Sequence, residues 1–518
     1  MQRRNFLRNA GAIASFPFFL KGMSISALAE SSLFDAVNND SDRVLILVQL
    51  NGGNDGLNML IPMDQYSKLF NARSEIIIPE SKILSVAGSS LGFHPKMDGM
   101  RDLFQDGKLG IVQSVGYPNH NRSHFRSTEI WTTGSPSEEF WNTGWAGRYL
   151  DDSYPGFPQS YPNQDHPDPF AISMGYLVSD TCQGQAANFS LALTDPFGLR
   201  PLSESDSTAM DNSLYGMELD FLQSTISQTN SYGIRITDAA ESGNNMVTYP
   251  DTDLAKQLKN VALLISGGMK TRIYTVNLGG FDTHAMQVDN GDKTEGRHAD
   301  LLETLSGAIH AFQEDLRLLG IEDRVMGMTF SEFGRQIRSN GSSGSDHGTA
   351  APLLLFGSCV NSQIMGDNPE IPANVEVQEG VPMQYDFRDV YGSILVDWFG
   401  MDMGQVGKML HEDFQYLPLV SCSISAANDL TSAPPIEMDN YPNPFENWTT
   451  IRFKTASEWA KLSIFDAMGN ELRVLTNQKL MEGEHEIRFD AGDLPAGNYY
   501  YRLLLKDRQR TKPMVKVR

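Results

Sequence analysis

Six side chains of this sequence are of the types that ligate metal ions and stand beside turn-forming residues: Asp55, Asp282, His284, Glu332, Asp346 and His347. In Asp282-Thr283-His284, alternate residues of an extended backbone point the same way, so one carboxylate and one imidazole can share a cation. Imidazole nitrogen suits zinc or another transition metal better than calcium. Asp55 lies in Asn51-Gly52-Gly53-Asn54-Asp55-Gly56, where glycines let the backbone approach closely; the same composition also makes an ordinary turn. Ser331-Glu332-Phe333-Gly334-Arg335 supplies a carboxylate and a guanidinium. As near neighbours they pair poorly, so Arg335 is expected to receive an anionic substrate through its two-pronged donor face. Asp346 and His347 are adjacent and cannot both reach one ion from a regular strand, so they serve two metals or one orients the other. Ser123, in His120-Asn121-Arg122-Ser123-His124, can cap a helix. A helix N-terminus also favours developing negative charge, which makes Ser123 a candidate nucleophile toward a phosphoryl or sulfuryl group.

The elements that must position these residues are legible as apolar runs. Residues 43–50, 109–115, 272–278, 324–330 and 352–357 read as strands, the first nearly continuous in apolar side chains, as in a strand buried on both faces. Between them, residues 253–265 and 298–319 carry helical periodicity, with Leu301, Leu305, Ala308, Phe312, Leu316 and Leu319 forming one stripe. Alternating strands and helices predict an α/β fold: a doubly wound, mostly parallel sheet. Ligands bind at the carboxyl ends of such strands, where Asp55, Asp282, His284 and Glu332 all fall. Residues 135–250, rich in Pro, Gly, Ser, Asn and Asp, read as an insertion of loops and short helices, a candidate cap over the strand ends. Residues 421–440 read as a linker. Beyond it, β-rich segments near 449–454, 461–465, 471–475, 484–489, 499–505 and 512–517 predict a small antiparallel β-sandwich.

The chain of 518 residues is long enough for at least two domains. Its net charge of −23 excludes nucleic acid and anionic membrane as natural partners. Cys182, Cys359 and Cys422 make no zinc spacing, and the sequence does not choose a disulfide among them. The paired Arg3-Arg4, the interrupted apolar stretch over about 10–28 and the small residues Ala27 and Ala29 predict a twin-arginine export signal, residues 1–29, removed near Ala29. No later segment is apolar for long enough to span a bilayer. Export in the folded state suits a protein that acquires a metal first.

Two resemblances extend this reading. Tyr441-Pro442-Asn443-Pro444-Phe445, Ile464-Phe465-Asp466-Ala467-Met468-Gly469 and Leu494-Pro495-Ala496-Gly497-Asn498-Tyr499-Tyr500 resemble the type A sorting domain of the type IX secretion system. That resemblance implies passage to the cell surface or medium, with that machinery as a partner. Residues from about 43 to 400 resemble the domain-of-unknown-function 1501 family, through the Asn51–Asn58 loop, Arg122-Ser123-His124-Phe125, Gly280-Phe281-Asp282-Thr283-His284, Ser331-Glu332-Phe333-Gly334-Arg335 and Asp346-His347-Gly348. The family looks like a distant branch of the alkaline phosphatase and sulfatase superfamily, which implies one or two divalent metals, zinc among the candidates. On that resemblance Asp55, Asp282, His284, Glu332 and His347 are metal ligands, Asp346 belongs to the same set, and Ser123 stands at the nucleophile's place. The Asp-x-His spacing is compressed and the usual strand-end Asp-His pair is replaced by Glu332; either departure weakens one metal site. The expected arrangement is a signal over 1–29, an alkaline phosphatase-like domain over 43–420, a linker over 421–440 and a sorting domain over 441–518. The expected function is a metal-dependent hydrolase of phosphate or sulfate esters. The alternative is a secreted or cell-surface binding protein that uses the fold without catalysis.

Overall fold

The structure, a computed structural model, describes residues 42–422 apart from 87 and 203–213, and residues 438–517 apart from 456–458, 467–470 and 506–508, with the short pairs 19–20 and 23–24. Apart from those pairs the expected signal lies outside the described residues, as does most of the expected linker.

β1 (Val44–Asn51) runs through the middle of the central sheet. Its alternate residues enter two different cores: Val44, Ile46, Val48 and Leu50 one, Leu45 and Leu47 the other. Burial on both faces is why it reads as an unbroken apolar run. The remaining strands are β2 (Leu109–Gly116), β3 (Ala171–Met174), β4 (Ser190–Leu193), β5 (Ile273–Gly279), β6 (Val325–Phe330), β7 (Ala351–Phe356), β8 (Ile364–Met365) and β9 (Tyr385–Asp386). Their order is β8-β2-β7-β6-β1-β5-β3-β4, with β9 also paired to β2. Only β7 is antiparallel to its neighbours in this sheet.

Helices cover both faces, as a doubly wound sheet requires. One core receives α1 (Asp98–Gln105), α5 (Asp253–Ser266) and α6 (Arg297–Leu318) together with the end of α4 (Leu214–Ser242). The other receives α2 (His124–Thr133), α3 (Trp145–Ser153) and α7 (Phe387–Asp397). In α6, Leu302, Leu305, Ile309, Phe312 and Leu316 are fully buried. Each such side chain contributes about 1.5–3 kcal/mol of transfer energy.

The segment 135–250 differs from the expected insertion of loops and short helices. It adds β3 and β4 to the sheet, parallel to β5 and to each other, and it contains the 29-residue α4. Its strands are four residues long, too short to stand out among the surrounding turn-formers. Cys359 and Cys422 form a disulfide that ties the end of this domain to the loop after β7, and Cys182 is buried and free. From residue 438, seven strands among the described residues form antiparallel sheets of three and four that enclose their own core. Among the described residues no helix is long and apolar enough to cross a membrane.

Candidate metal centre

Strand register decides which loops meet. Asn51 pairs with Gly279 and Gln49 with Phe330, so β1, β5 and β6 end nearly level and the loops after them open on one edge. β7 runs the other way, with Ala351 opposite Val115 near the end of β2. The loop before β7, which carries Asp346 and His347, therefore reaches the same edge, as does the loop from β2 into α2. Close approach requires glycine at Gly52: φ is 120°, and a Cβ there would lie 2.3 Å from the Asp282 amide nitrogen.

Three imidazoles converge on one carboxylate oxygen. The Nε2 atoms of His284, His347 and His124 lie 3.2, 3.3 and 3.5 Å from Asp282 Oδ1. Each ring is held from behind through Nδ1: His284 by Asp346 Oδ1 at 2.7 Å, His347 by the Arg122 carbonyl at 2.8 Å, and His124 by Glu332 Oε1 at 2.8 Å. A carbonyl or an ionised carboxylate only accepts, so the proton belongs on Nδ1 in all three rings. The neutral rings then point Nε2 lone pairs inward, toward an anionic oxygen and, for His284 and His347, toward each other at 2.9 Å. Such a cluster is repulsive unless a cation, a proton or a metal ion, lies among the donors. His124 Nε2 is buried without a hydrogen-bond partner. Leaving a polar atom so costs about 1–3 kcal/mol, a cost that a bound ion offsets.

The spacing fits a metal. Ligands about 2.0–2.1 Å from a tetrahedral zinc stand about 3.3–3.4 Å from one another. The donor atoms of His124, Asp282 and His347 all lie within 4.8 Å of one another, and the separations from Asp282 are close to that edge length. Burial acts against the Asp282 carboxylate, but Arg335, with Nη2 2.7 Å from Oδ1, holds its pKa down at about 2. Burial also lowers the His347 pKa, which favours the neutral, ligating ring.

The other expected site residues have different places. Asp55 is sealed in the interior, 1 % exposed, with Arg73 Nη1 2.9 Å from both of its oxygens and Gln287 donating at 2.6 Å. Its charge is answered by a guanidinium rather than left open toward the Asp282 cluster. Glu332 accepts from the Gly52 amide at 2.9 Å and from His124 Nδ1, on the side of that ring away from Asp282. Asp346 does the same for His284. Arg335 was expected to meet substrate. It is 1 % exposed, and its donors go to the carbonyls of Gly52, Gly53, Phe281 and Ser345 and to Asp282. It therefore positions Asp282. Ser123 occupies the N-cap position of α2, is exposed and makes no side-chain capping bond. His124, present in the sequence reading only within the His120–His124 and Arg122–Phe125 motifs, brings a third Nε2 to Asp282; its adjacency to Ser123 is the signal that could have found it.

Residues 108–398 match the family model described as "Protein of unknown function (DUF1501)", and residues 439–517 match "Secretion system C-terminal sorting domain". The second match implies secretion by the type IX system to the cell surface or beyond. No curated protein matches the chain. Among solved structures, the chain is similar to a protein in the alkaline phosphatase superfamily from Vibrio parahaemolyticus, at 10% identity over 80% of this chain and 76% of that one, with a TM-score of 0.32. It is similar to a putative sulfatase from Bacteroides fragilis at 10% identity over 88% and 90% of the two chains, with a TM-score of 0.31. It also matches PorZ, a surface component of the type IX secretion system of Porphyromonas gingivalis, at 18% identity, but over 20% of this chain and only 14% of that one, with a TM-score of 0.13. Identities and TM-scores this low leave the chemistry to be read from this chain's own residues.

Proposed function

Because the chain belongs to the DUF1501 family, whose description supplies no reaction, we propose from the site itself that it is a secreted, metal-dependent hydrolase of phosphate or sulfate esters. The observation that carries this reading is the convergence of three Nε2 atoms on Asp282 Oδ1, with every Nδ1 held by an outer acceptor. Such acceptors fix the tautomer of metal-binding histidines and raise their basicity. A donor set of nitrogen with one carboxylate favours zinc or a similar transition metal over calcium or magnesium. When bound, the ion would polarise the ester oxygen and help activate the nucleophile.

His124, Asp282 and His347 would hold the ion. Ser123 is the nucleophile in this reading. It is bracketed by two contacts to the cluster, the Arg122 carbonyl on His347 and the His124 ring itself, and its hydroxyl is not spent on capping. His284, backed by Asp346, would take the serine proton at Nε2 as Oγ attacks and return it to the departing ester oxygen; it would then take a proton from the water that cleaves the serine ester and return it to Oγ. Glu332 and Arg335 position His124 and Asp282. The export signal over 1–29, the linker over 421–440 and the boundaries of the central domain belong to the same proposal.

The test is elemental analysis of the secreted protein beside a His124→Ala/His347→Ala double variant, followed by a screen of aryl phosphates and sulfates against Ser123→Ala. About one equivalent of metal, lost in the double variant, with ester hydrolysis lost in Ser123→Ala, is the expected result. A wild type that takes up no zinc or manganese would sink the reading and leave the binding-protein alternative. Metal without any ester hydrolysis would remove the catalytic half.

A further inference from the structure

Arg335 is closed off, so an anionic ester at this site needs another cation. Arg122, the residue before Ser123, is the candidate. Its main-chain carbonyl receives the His347 Nδ1–H at 2.8 Å, which fixes its backbone against the cluster. Its side chain is half-buried, and Nη2 donates to the Gln378 carbonyl at 2.7 Å. Among the described residues no carboxylate pairs with it, and Nε and Nη1 have no bonded partner. Gln378 holds its carbonyl there from a left-handed backbone, φ 67°. Non-glycine residues rarely adopt that conformation and keep it where the surroundings impose it, often at functional sites. The arm is therefore held at one nitrogen, with donors to spare.

The charge balance points the same way. Asp282 is answered by Arg335, which leaves the Glu332 and Asp346 carboxylates to balance a divalent ion. Nothing then remains in the inner cluster to attract an anion, and the chain as a whole carries −23. The Arg122 guanidinium, on the residue before Ser123, would supply both charge and the planar donor pair that matches two oxygens of a tetrahedral oxyanion.

Resting on the hydrolase reading above, we infer that Arg122 is the substrate-binding residue that selects a tetrahedral oxyanion, the phosphate or sulfate group of the ester. The test uses the full-length, zinc-loaded protein and measures binding of inorganic phosphate and inorganic sulfate by calorimetry, with metal content determined in parallel. Wild type is compared with Arg122→Met, Arg122→Lys and, as a control, Arg338→Met, an exposed arginine of the loop beyond Arg335. Arg122→Met should keep its metal, because the contact to His347 is main-chain, and bind the preferred anion at least about ten-fold more weakly, the scale of one lost charge-assisted bond. Arg122→Lys should fall between the two, and Arg338→Met should match wild type. Whichever anion shows the larger loss identifies the ester class. Unchanged anion binding in a metal-replete Arg122→Met protein would overturn the inference and leave the metal site standing. Absence of metal in the wild type would instead overturn the hydrolase reading.

Discussion

Replacing Asp55 by Asn should destabilise the protein without touching its metal. The Asp55 carboxylate and the Arg73 guanidinium are 1 % and 0 % exposed, 2.9 Å apart. Burial opposes the Asp55 charge, yet Arg73 lowers its pKa below the ordinary value. Removing one partner of such a pair leaves the other charge uncompensated, at about 3–5 kcal/mol. Unfolding entropy near 2.1 cal/mol/K per residue gives about 0.8 kcal/mol/K for a domain of this size, so Tm should fall by about 4–6 °C. Asp282→Asn should differ in its metal: it leaves the buried Arg335 guanidinium without its carboxylate, so the metal-free Tm should also fall, while metal affinity collapses. The assay is thermal unfolding of both variants with a chelator present, so that metal binding does not itself shift Tm, with metal content measured separately without chelator. An Asp55→Asn protein that kept its Tm and lost its metal would refute the assignment and restore Asp55 as a ligand.

Other outcomes follow from the same contacts. Glu332→Gln keeps an acceptor for the Gly52 amide but weakens the hold on His124 Nδ1, so metal affinity should drop about 10–100-fold in a chelator competition with Tm preserved; unchanged affinity would count against the outer-acceptor role. His94 and His298 are buried, and burial lowers their pKa to about 3 and about 4. Because these folded values lie below the unfolded one, stability is complete above about pH 6.5 and is lost as pH falls, by about 1.4 kcal/mol per unit for each ring. His94→Gln should therefore flatten the decline of Tm between pH 6.5 and 5, and an unaltered slope would refute this. The Cys359–Cys422 bridge spans 63 residues, so Cys422→Ser should cost up to about 4 kcal/mol by loop entropy, read from unfolding with and without reductant.

Much of the fold was legible because the signals were local. β1 is a nearly continuous apolar run, β5 and β6 are predominantly apolar, and α5 and α6 carry a stripe at helical spacing, so the hydrophobic pattern alone locates them to within a residue or two. β3 and β4 were not legible. At four residues each they are stabilised by stacking beside β5 rather than by any pattern of their own. The reversed direction of β7 was equally hidden, since an apolar run has no arrow. Yet that reversal brings the loop before β7, with Asp346 and His347, to the carboxyl edge.

The site separates residue type from residue role. Sequence spacing identified the acidic and histidine positions that gather at this edge, but a carboxylate can face an ion, a ring nitrogen or a guanidinium, and only the partner decides. Asp55 meets Arg73, Glu332 meets His124 and Asp346 meets His284. Of the four expected carboxylates, Asp282 alone turns its oxygen to the inward nitrogens. The compressed Asp-x-His spacing does not starve the centre, because His124 arrives from α2 and His347 from the loop before β7. Asp282 itself is held by an arginine from the loop after β6. A motif read along the chain therefore misses what converges: the separate loops supply imidazoles, and most of the acids are bonded to those imidazoles or to a buried arginine.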